Sequence, residues 1–328
     1  MPELPDVNVY IEHLERRTAG HVLERIRLAS PFVLRTADPP IAAIFGREVR
    51  RVSRLGKRIV FSFVAPKKEE PLHLVIHLMV AGRFRWKPAG APIPGKLGLA
   101  AFDFAGATGK RVVDKEAGTL ILTEASSKKR ASIHVVRGDA ALLALAPDGL
   151  EVLDVSTAAF AERLRSENHT LKRALTDPHL FSGIGNAYSD EILHHACMSP
   201  VKLTSRLTDE EITKLHASIR EVLVTWTDRL RARSGDFPEK VTAFQPEMAV
   251  HGKYGQPCPR CGTRVQRIRY ADNEMNYCSR CQTDGKLLAD RSLSRLMRGD
   301  WPKTLEALEA KKERSREPAL TAEPSPPR

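Results

Sequence analysis

The sequence lacks any apolar run long enough to cross a membrane, since no stretch approaches the roughly 18 consecutive apolar residues that a spanning helix needs. Its first residues also lack the basic and then apolar pattern of a secretion signal. These two absences predict a cytoplasmic protein with no membrane partner. A hydrophobic content of 42% and a charged content of 28% fit a globular chain, and 328 residues are enough for two domains with separate cores.

Cysteine is scarce, and its distribution is uneven. There are five cysteines, four of which fall in CPRC at 258–261 and CSRC at 278–281. In a reducing compartment this pattern favours metal over disulfides. Two CxxC turns bring four thiolates to one ion and leave no position for water, which predicts one structural zinc held by Cys258, Cys261, Cys278 and Cys281. Cys197, in an apolar helical context, is predicted to be a buried, inert thiol.

Acidic residues are outnumbered, with 40 Asp and Glu against 52 Lys and Arg and a net charge of +12. This excess favours a polyanion partner, of which nucleic acid is the commonest, although solubility alone explains it equally well. Between the cysteine pairs, VQRIRY alternates as a strand does and carries Arg267 and Arg269. A zinc-clipped β-hairpin with arginines is suited to DNA; the alternative is that this zinc ribbon only mediates protein contacts.

The pattern of apolar residues divides the chain. A helix is predicted over 6–18, and β-type runs such as KRIVFSFV, PLHLVIHL and GTLILTEA follow between about 25 and 135. Helices are predicted after a break near LAPDGLEVLD, the longest opening with a capping box at Thr208 and Glu211. Beyond the cysteines, a basic and helical stretch precedes the tail KKERSREPALTAEPSPPR, which is predicted to be disordered.

A glycine-rich turn lies in FSGIGNAYSDEILHHA, where Gly183 and Gly185 precede a helix expected to start at about Asn186. Glycines allow close approach of a partner, and the free N–H groups of the first helical turn form an anion site. We expect Asn186 to cap the helix and to donate its amide to the same phosphate. The alternative is a tight turn between helices with an Asn cap.

The N-terminus, MPELPDVNVY, places chemistry at the start of a helix. Pro2 is small enough for the start methionine to be removed, which would free a secondary amine with a pKa near roughly 7.7–8.0. Attack of that amine on a sugar C1′ gives an iminium with no N–H to lose, which favours loss of the base and then elimination. Glu3 could protonate the ring oxygen, and Lys57 in LGKRIVF could hold a phosphate or donate a proton. The alternative is an ordinary frayed end and a solvated lysine.

Together, MPELPDV, GK at 56–57, GIGNAYSDEIL and CPRCGT…YCSRCQ resemble the formamidopyrimidine-DNA glycosylase / endonuclease VIII family of base-excision repair enzymes. The resemblance implies an α+β fold, with an N-terminal antiparallel β-sandwich flanked by helices and a C-terminal helix–two-turn–helix domain with a zinc β-hairpin. The expected boundaries are 1–135 for the sandwich, 136–150 for a linker, 151–240 for the helical domain, 245–283 for the zinc finger and 284–328 for an extension.

The resemblance also implies a function: a monomeric DNA glycosylase and abasic-site lyase that removes oxidised bases from damaged double-stranded DNA, associated with the nucleoid. Family members flip the damaged nucleotide out of the duplex. Pro2 would be the Schiff-base nucleophile, Glu3 the acid/base, Lys57 the proton donor in β-elimination and Asn186 a phosphate contact. The other expected DNA contacts are Gly185, Lys253, Arg267, Arg269, Val80 and Asp6.

Several residues depart from the family pattern. Asp6 replaces a glutamate, which predicts a weaker hydrogen bond. Asn273 stands where an arginine usually grips phosphates near the lesion, which puts the second, δ-elimination step in question; Arg267 or Arg269 is the candidate substitute.

The residues expected to fill the space of a flipped base are also small. Val80 replaces a methionine, with Met79 on the opposite side of a predicted strand, and Ala131 replaces an aromatic. These changes favour a different lesion preference, or DNA already distorted or single-stranded. The loop 233–247 lacks a glycine-rich pattern, which tilts the prediction towards a broad or pyrimidine-leaning specificity. The alternative function is a DNA-binding module without efficient catalysis.

Overall fold

The computed structural model describes residues 1–107, 116–270, 273–289 and 302–314, without the side chains of Tyr270, Asn273 and 312–314. Its strands are β1 (Val22–Leu28), β2 (Arg47–Leu55), β3 (Arg58–Phe63), β4 (Leu72–His77), β5 (Gly82–Pro88), β6 (Gly98–Phe104), β7 (Gly118–Glu124), β8 (Ser132–Arg137), β9 (Gln266–Tyr270) and β10 (Asn273–Tyr277). Its helices are α1 (Leu4–Thr18), α2 (Asp139–Leu143), α3 (Thr157–Arg165), α4 (Leu171–Thr176), α5 (Asn186–His195), α6 (Asp209–Arg233), α7 (Ser279–Thr283) and α8 (Leu305–Arg314).

The N-terminal domain is the predicted antiparallel sandwich. Eight strands pair in the order β5-β7-β6-β1-β2-β3-β4-β8. The β1–β2 pairing is confined to Val22 and Leu23 opposite Glu48 and Arg47, so the sheet turns there and its two halves face each other. Their inner side chains form one core, in which the rings of Phe61 and Phe104 stack with centroids 6.1 Å apart. The fold class predicted from the sequence is confirmed.

Helix α1 belongs to both cores of the molecule. Proline lies in its first turn, where the absent N–H costs nothing, and its helical spacing places Val7, Tyr10 and Leu14 in the sandwich core. Leu4, one turn earlier, packs in the core of the helical domain instead. The N-terminus of the chain is therefore held where the two domains meet.

The helical domain is built around α5 and α6. The capping box at Thr208 and Glu211 is present and starts α6 as predicted. The apolar positions predicted to face a core are all buried: Ile212, Leu215, Ile219, Val222 and Leu223. No helix within the described ranges has the length and apolar content needed to span a membrane.

The chain continues past the hairpin β9–β10 and folds back onto it. Leu288 packs against the hairpin, and its N–H donates to the Tyr277 hydroxyl at 2.9 Å. Lys286 then pairs with Thr304, just before α8. The tail predicted to be disordered from residue 311 is helical as far as Arg314, which corrects that prediction; 290–301 and 315–328 lie outside the described residues. The segment 136–150, proposed as a linker, holds the end of β8 and all of α2.

Candidate active site

The glycine turn before α5 packs against the N-terminus of the same chain. Leu4 donates its N–H to the Gly183 carbonyl at 2.9 Å, and Gly183 has a φ of +83°, which favours glycine. A Cβ added at Gly185 would lie 2.5 Å from Cδ of Glu3 and 2.7 Å from Nζ of Lys57. The glycines do allow the predicted close approach, but the groups that approach them belong to this chain. They lie at the start of α1 and in the β2–β3 turn.

The carboxylate of Glu3 lies on the first turn of α5. Its Oε2 accepts from the N–H of Gly185 at 2.6 Å and of Tyr188 at 3.2 Å, and its Oε1 accepts from Ala187 at 2.8 Å. Helix N-termini favour negative charge, so the helix both orients Glu3 and stabilises its charge. Two expectations are corrected: Gly185 occupies the N-cap position instead of Asn186, and Glu3 takes the N–H groups assigned to a phosphate.

Two amines share this site with Glu3. Lys57, in the turn between β2 and β3, is partly buried, and burial lowers the pKa of its ammonium while the nearby Glu3 charge opposes the shift. Burial also lowers the pKa of the Met1 α-amine, on which Glu3, Arg83, Asp6 and Lys57 act as neighbouring charges. The site therefore combines a carboxylate with two amines that lose their protons more readily than in water.

Asp6 supports the start of α1. Its Oδ2 accepts from the N–H of Glu3 at 2.9 Å, so the shorter side chain still makes the hydrogen bond that was expected to weaken. Its Oδ1 is buried without a hydrogen-bond partner. Burial raises the pKa of Asp6 to about 7. Asp6 also lines a cavity beneath the 237–241 loop.

Asn186 connects α5 to the zinc hairpin. Its Nδ2 donates to the backbone carbonyl of Glu274 at 2.8 Å. Lys172 reaches the same helix, where its Nζ donates to the Asn186 carbonyl at 2.7 Å and contacts Asp190 at 2.5 Å. The amide that was expected to meet a phosphate is thus engaged within the protein.

The four clustered cysteines form one site. Their Sγ atoms all lie within 4.8 Å of one another, with Cys261 and Cys278 3.4 Å apart and Cys258 and Cys281 4.0 Å apart. Zn–S bonds of about 2.3 Å require S···S separations of roughly 3.8 Å, so the set fits a tetrahedral Zn²⁺. The Nε2 of His194 lies 3.2 Å from Cys258 Sγ and ties the site to α5. The predicted single structural zinc is confirmed.

Two buried acids on α5, which sequence reasoning did not select, fix the zinc unit. Asp190 accepts from the imidazole of His251 at 2.8 Å and from the N–H of Asn276 at 3.1 Å. Glu191 accepts from the N–H groups of Ala249, Val250 and His251 at 2.8–2.9 Å. The signal was available, because two adjacent acids next to the apolar pair Ile192 and Leu193 must find partners when they are buried.

The predicted hairpin contacts lie on its accessible side. Arg267 stacks its guanidinium 4.3 Å from the ring of Tyr254, and Arg269 is exposed two residues further along the strand. Lys253 donates from Nζ to the Pro246 carbonyl at 2.8 Å. The side chain of Asn273 lies outside the described part of the chain, so its proposed effect on elimination stays a prediction.

The residues expected to fill the space of a flipped base do not lie where the sequence predicted. Met79 and Val80 lie in the turn between β4 and β5, with Met79 at a φ of +52°, so the prediction that they alternate on a strand is wrong. Val80 is exposed and Ala131 is buried in the sandwich core. The N–H of Ala131 donates to the carboxylate of Glu124 at 3.0 Å, which turns the β7–β8 loop inward. Ala131 therefore cannot reach a DNA gap.

A group of basic side chains beside Lys57 was missed. Arg58 pairs across strands with His77, and Arg58, Lys57 and His134 all lie close enough to His77 for their charges to act on it. Burial, aided by these cations, lowers the pKa of His77 to about 4. Alternation in LHLVIH and SIHVVR was the available signal, because it places the histidines on the outer face of the half-sheet. We call Lys57, Arg58, His77 and His134 the basic edge.

Cys197 also differs from its prediction. It is exposed, with a φ of +55°, and its sulfur contacts the guanidinium of Arg260. It ends α5 in a left-handed turn, which brings its side chain to the surface instead of into the helical core.

Comparison with known proteins gives matches along most of the chain. The model of the formamidopyrimidine-DNA glycosylase N-terminal domain matches residues 1–118, that of the family's helix–two-turn–helix domain matches 145–228, and that of the zinc finger found in FPG and IleRS matches 255–283. An uncharacterised formamidopyrimidine-DNA glycosylase-like protein of Mycobacterium tuberculosis is 40% identical over 156 residues, covering 47% of this chain and 95% of that protein.

Longer relatives and solved structures agree. The formamidopyrimidine-DNA glycosylase of Desulforamulus reducens is 30% identical over 293 residues, covering 86% of this chain and 99% of its own. The enzyme of Lactococcus lactis, solved with DNA containing an oxidised pyrimidine, superposes with a TM-score of 0.72 at 27% identity, covering 86% of this chain and all of the other. A second structure from that organism, with abasic-site DNA, gives a TM-score of 0.71 at 26% identity, covering 86% and 99%. The chain therefore belongs to the formamidopyrimidine-DNA glycosylase family, whose members are DNA glycosylases that also act as abasic-site lyases.

Proposed function

We propose that this protein excises oxidised bases from double-stranded DNA and then cleaves the strand, with the amine of Pro2 as the nucleophile after removal of Met1. The observation that carries the proposal is the meeting of the N-terminus, Glu3 and Lys57 at the start of α5, between the two domains. A nucleophile, a proton carrier and a second amine are thereby gathered at one point.

The surroundings favour an unprotonated amine. Burial already lowers the pKa of the Met1 amine, and Pro2 is more buried than Met1, so the same effect should act on a Pro2 amine. A larger unprotonated fraction at neutral pH means more nucleophile. Glu3 and Asp6 are the carboxylates whose charges act on this amine, which makes them the candidates to take up the proton that it releases.

The steps follow from these groups. The nitrogen of Pro2 forms a bond to C1′ while the glycosidic bond breaks, and the base leaves with the bonding electrons. The nitrogen loses its proton to Glu3, which passes it to O4′ as the C1′–O4′ bond opens, and an iminium forms. Its positive charge makes the 2′-hydrogen acidic, and the Glu3 carboxylate, having given its proton to O4′, removes it. The electrons of that C–H bond form a C2′–C3′ double bond, and the 3′-phosphate leaves with the electrons of the C3′–O bond in β-elimination. Lys57 serves as the proton donor beside the leaving group.

DNA is the proposed partner because the protein is basic and because structures of similar proteins contain DNA. The basic edge continues from Lys57, the chain carries a net charge of +12, and the Lactococcus lactis structures hold damaged or abasic-site DNA. We place double-stranded DNA in the cleft between the domains, with single-stranded DNA as a second substrate. We further propose that the protein acts as a monomer in the cytoplasm at the nucleoid.

Borohydride trapping tests the proposal. The mature protein is mixed with an abasic-site duplex and reduced, and the adduct is digested and located by mass spectrometry. We expect a stable adduct on Pro2, lost or strongly reduced in Pro2→Gly. Lys57→Ala should still form the adduct but cleave at least tenfold more slowly, while Lys96→Ala, an exposed lysine in a loop, should match the wild type.

Two results would overturn the proposal. Tight DNA binding without any adduct would identify a DNA-binding module that lacks catalysis. Undiminished strand cleavage by protein that retains Met1 would show that the Pro2 amine is not the nucleophile.

A further inference from the structure

Phe32 is a large aromatic side chain with no place in either core. It is 80% exposed, in a short 3-10 turn at Pro31–Val33 between β1 and β2. The next residue, Val33, is buried in the sandwich core and anchors the turn. Single exposed apolar side chains are common on protein surfaces, so a binding role is inferred from where Phe32 lies and from which residues surround it.

The strand register places Phe32 beside the gap-filling region. Leu34 pairs in parallel with Ile133, and the N–H of Arg35 donates to the Ile133 carbonyl at 2.8 Å. Phe32 lies two residues before this isolated bridge, in the 3-10 turn, and Ala131 lies two residues before Ile133, so both residues are close to the start of β8. On the other side of β8, Ser132 pairs with His77, at the entrance to the turn that carries Val80.

The same register gives the distance to the reacting centre. From Arg58 on β3, through His77 on β4 and Ser132 on β8, to the segment of Phe32 there are three strand spacings, or about 14 Å at about 4.8 Å each. DNA bases stack about 3.4 Å apart, so this span corresponds to about four base steps. Phe32 is thus within reach of DNA that is held at Lys57 and runs across these strands.

The surroundings of Phe32 are positively charged. Lys128 and Arg130 are exposed in the β7–β8 loop, and Arg35 is exposed beside the turn. The carboxylate of Glu124, the last residue of β7, is buried and accepts from the N–H of Arg130 at 2.9 Å and from the Ser126 hydroxyl at 2.7 Å. An aromatic ring among solvent-exposed cations is the arrangement that stacks on nucleic-acid bases.

We propose that Phe32 stacks on a base of locally opened DNA and supplies the aromatic contact that the buried Ala131 cannot make. The proposal rests on the proposed function for the identity of the partner. Opening a duplex leaves unstacked bases, and an inserted apolar side chain offsets that loss. The ring comes here from the β1–β2 connection instead of the β7–β8 loop.

The test compares Phe32→Ala, Phe32→Trp and Leu143→Ala, the last removing another exposed apolar side chain, on α2. Binding is measured on a duplex with an abasic-site analogue and on the corresponding single strand. We expect Phe32→Ala to bind the duplex at least about fivefold more weakly, near the low end of what base–aromatic stacking contributes, with a smaller change on the single strand. Phe32→Trp should restore binding, and Leu143→Ala should leave it unchanged.

A fluorescent 2-aminopurine next to the abasic analogue gives the direct readout. Its emission should change on binding of wild type and Phe32→Trp, and much less with Phe32→Ala. Wild-type affinity and emission in Phe32→Ala would overturn the role of Phe32 while leaving the Pro2 chemistry untouched. Equal losses in Phe32→Ala and Leu143→Ala would also overturn it, since they would show a general effect of surface truncation. Failure of the wild type to bind any duplex would instead refute the proposed function.

Discussion

The carboxylate of Glu3 and the backbone N–H of Gly185 are hydrogen-bonded at 2.6 Å, across 182 residues of sequence. This bond joins the tip of the N-terminal domain to the first turn of α5 in the helical domain. Glu3 thereby occupies the N-terminus of α5, a position that would otherwise suit a phosphate. The position of the proposed nucleophile, Pro2, therefore depends on the packing of the two domains.

Gly185→Ala should disable the chemistry more than the binding. The added Cβ would lie 2.5 Å from Cδ of Glu3 and 2.7 Å from Nζ of Lys57, so both side chains must move. We expect single-turnover cleavage of an abasic duplex to fall at least tenfold, with a small loss of affinity. Gly95→Ala is the matched control, because a Cβ there has nothing within 4 Å. Equal cleavage rates in the two variants would contradict the assigned geometry.

The stability of the protein should depend on Asp6 between about pH 4 and pH 7. Burial raises the pKa of Asp6 from its ordinary 3.8 to about 7, so over this range the folded protein keeps a proton that the unfolded chain has lost. The contribution of Asp6 to the free energy of unfolding therefore falls as pH rises, by at most about 4 kcal/mol, and is constant above. Urea unfolding of wild type and Asp6→Asn at several pH values should show the variant gaining relative stability across this interval. Parallel stability profiles would show that Asp6 titrates normally.

Serine substitutions should distinguish the four clustered cysteines, which are the zinc ligands, from Cys197, which lies outside the cluster. Cys278→Ser removes one of four ligands, so we expect the loss of bound zinc and of most DNA affinity, because the hairpin is held by the metal. Cys197→Ser, outside the cluster, should keep one zinc per chain and normal affinity. Metal content by mass spectrometry and titration with duplex DNA check both. Retention of a full zinc equivalent by Cys278→Ser would contradict the four-sulfur site.

The salt dependence of DNA binding distinguishes a side chain that links α5 to the zinc hairpin from one that contacts a phosphate. Asn186 donates to the Glu274 carbonyl, so Asn186→Ala should weaken duplex binding about two- to tenfold without changing its salt dependence. Arg269→Ala, on the exposed face of the hairpin, should reduce the slope of log K against log salt by about one. A reduced slope for Asn186→Ala would restore the phosphate role that the sequence suggested.

Sequence patterns predicted correctly those features that depend on residues close together in the chain. The spacing of Cys258, Cys261, Cys278 and Cys281 predicts the zinc set, and Thr208 with Glu211 predicts the start of α6; both are found. Such features depend on neighbours within a few turns of chain. The contacts of Asn186 and Ala131 were misjudged because their partners, Glu274 and Glu124, are decided by packing.

The sequence by itself determined the zinc site and the division into a β-rich and a helical part, because cysteine spacing and apolar periodicity are local properties. The full fold class and the choice of Pro2, Glu3 and Lys57 followed from the resemblance of four short motifs to a known family. Tertiary structure alone decided that Glu3 would occupy the N-terminus of α5, that Ala131 would turn inward and that Phe32 would remain outside. These outcomes depend on strand register and on the meeting of two domains, which bring together residues far apart in the chain. Burial and hydrogen bonding then select among contacts that the sequence leaves equally possible.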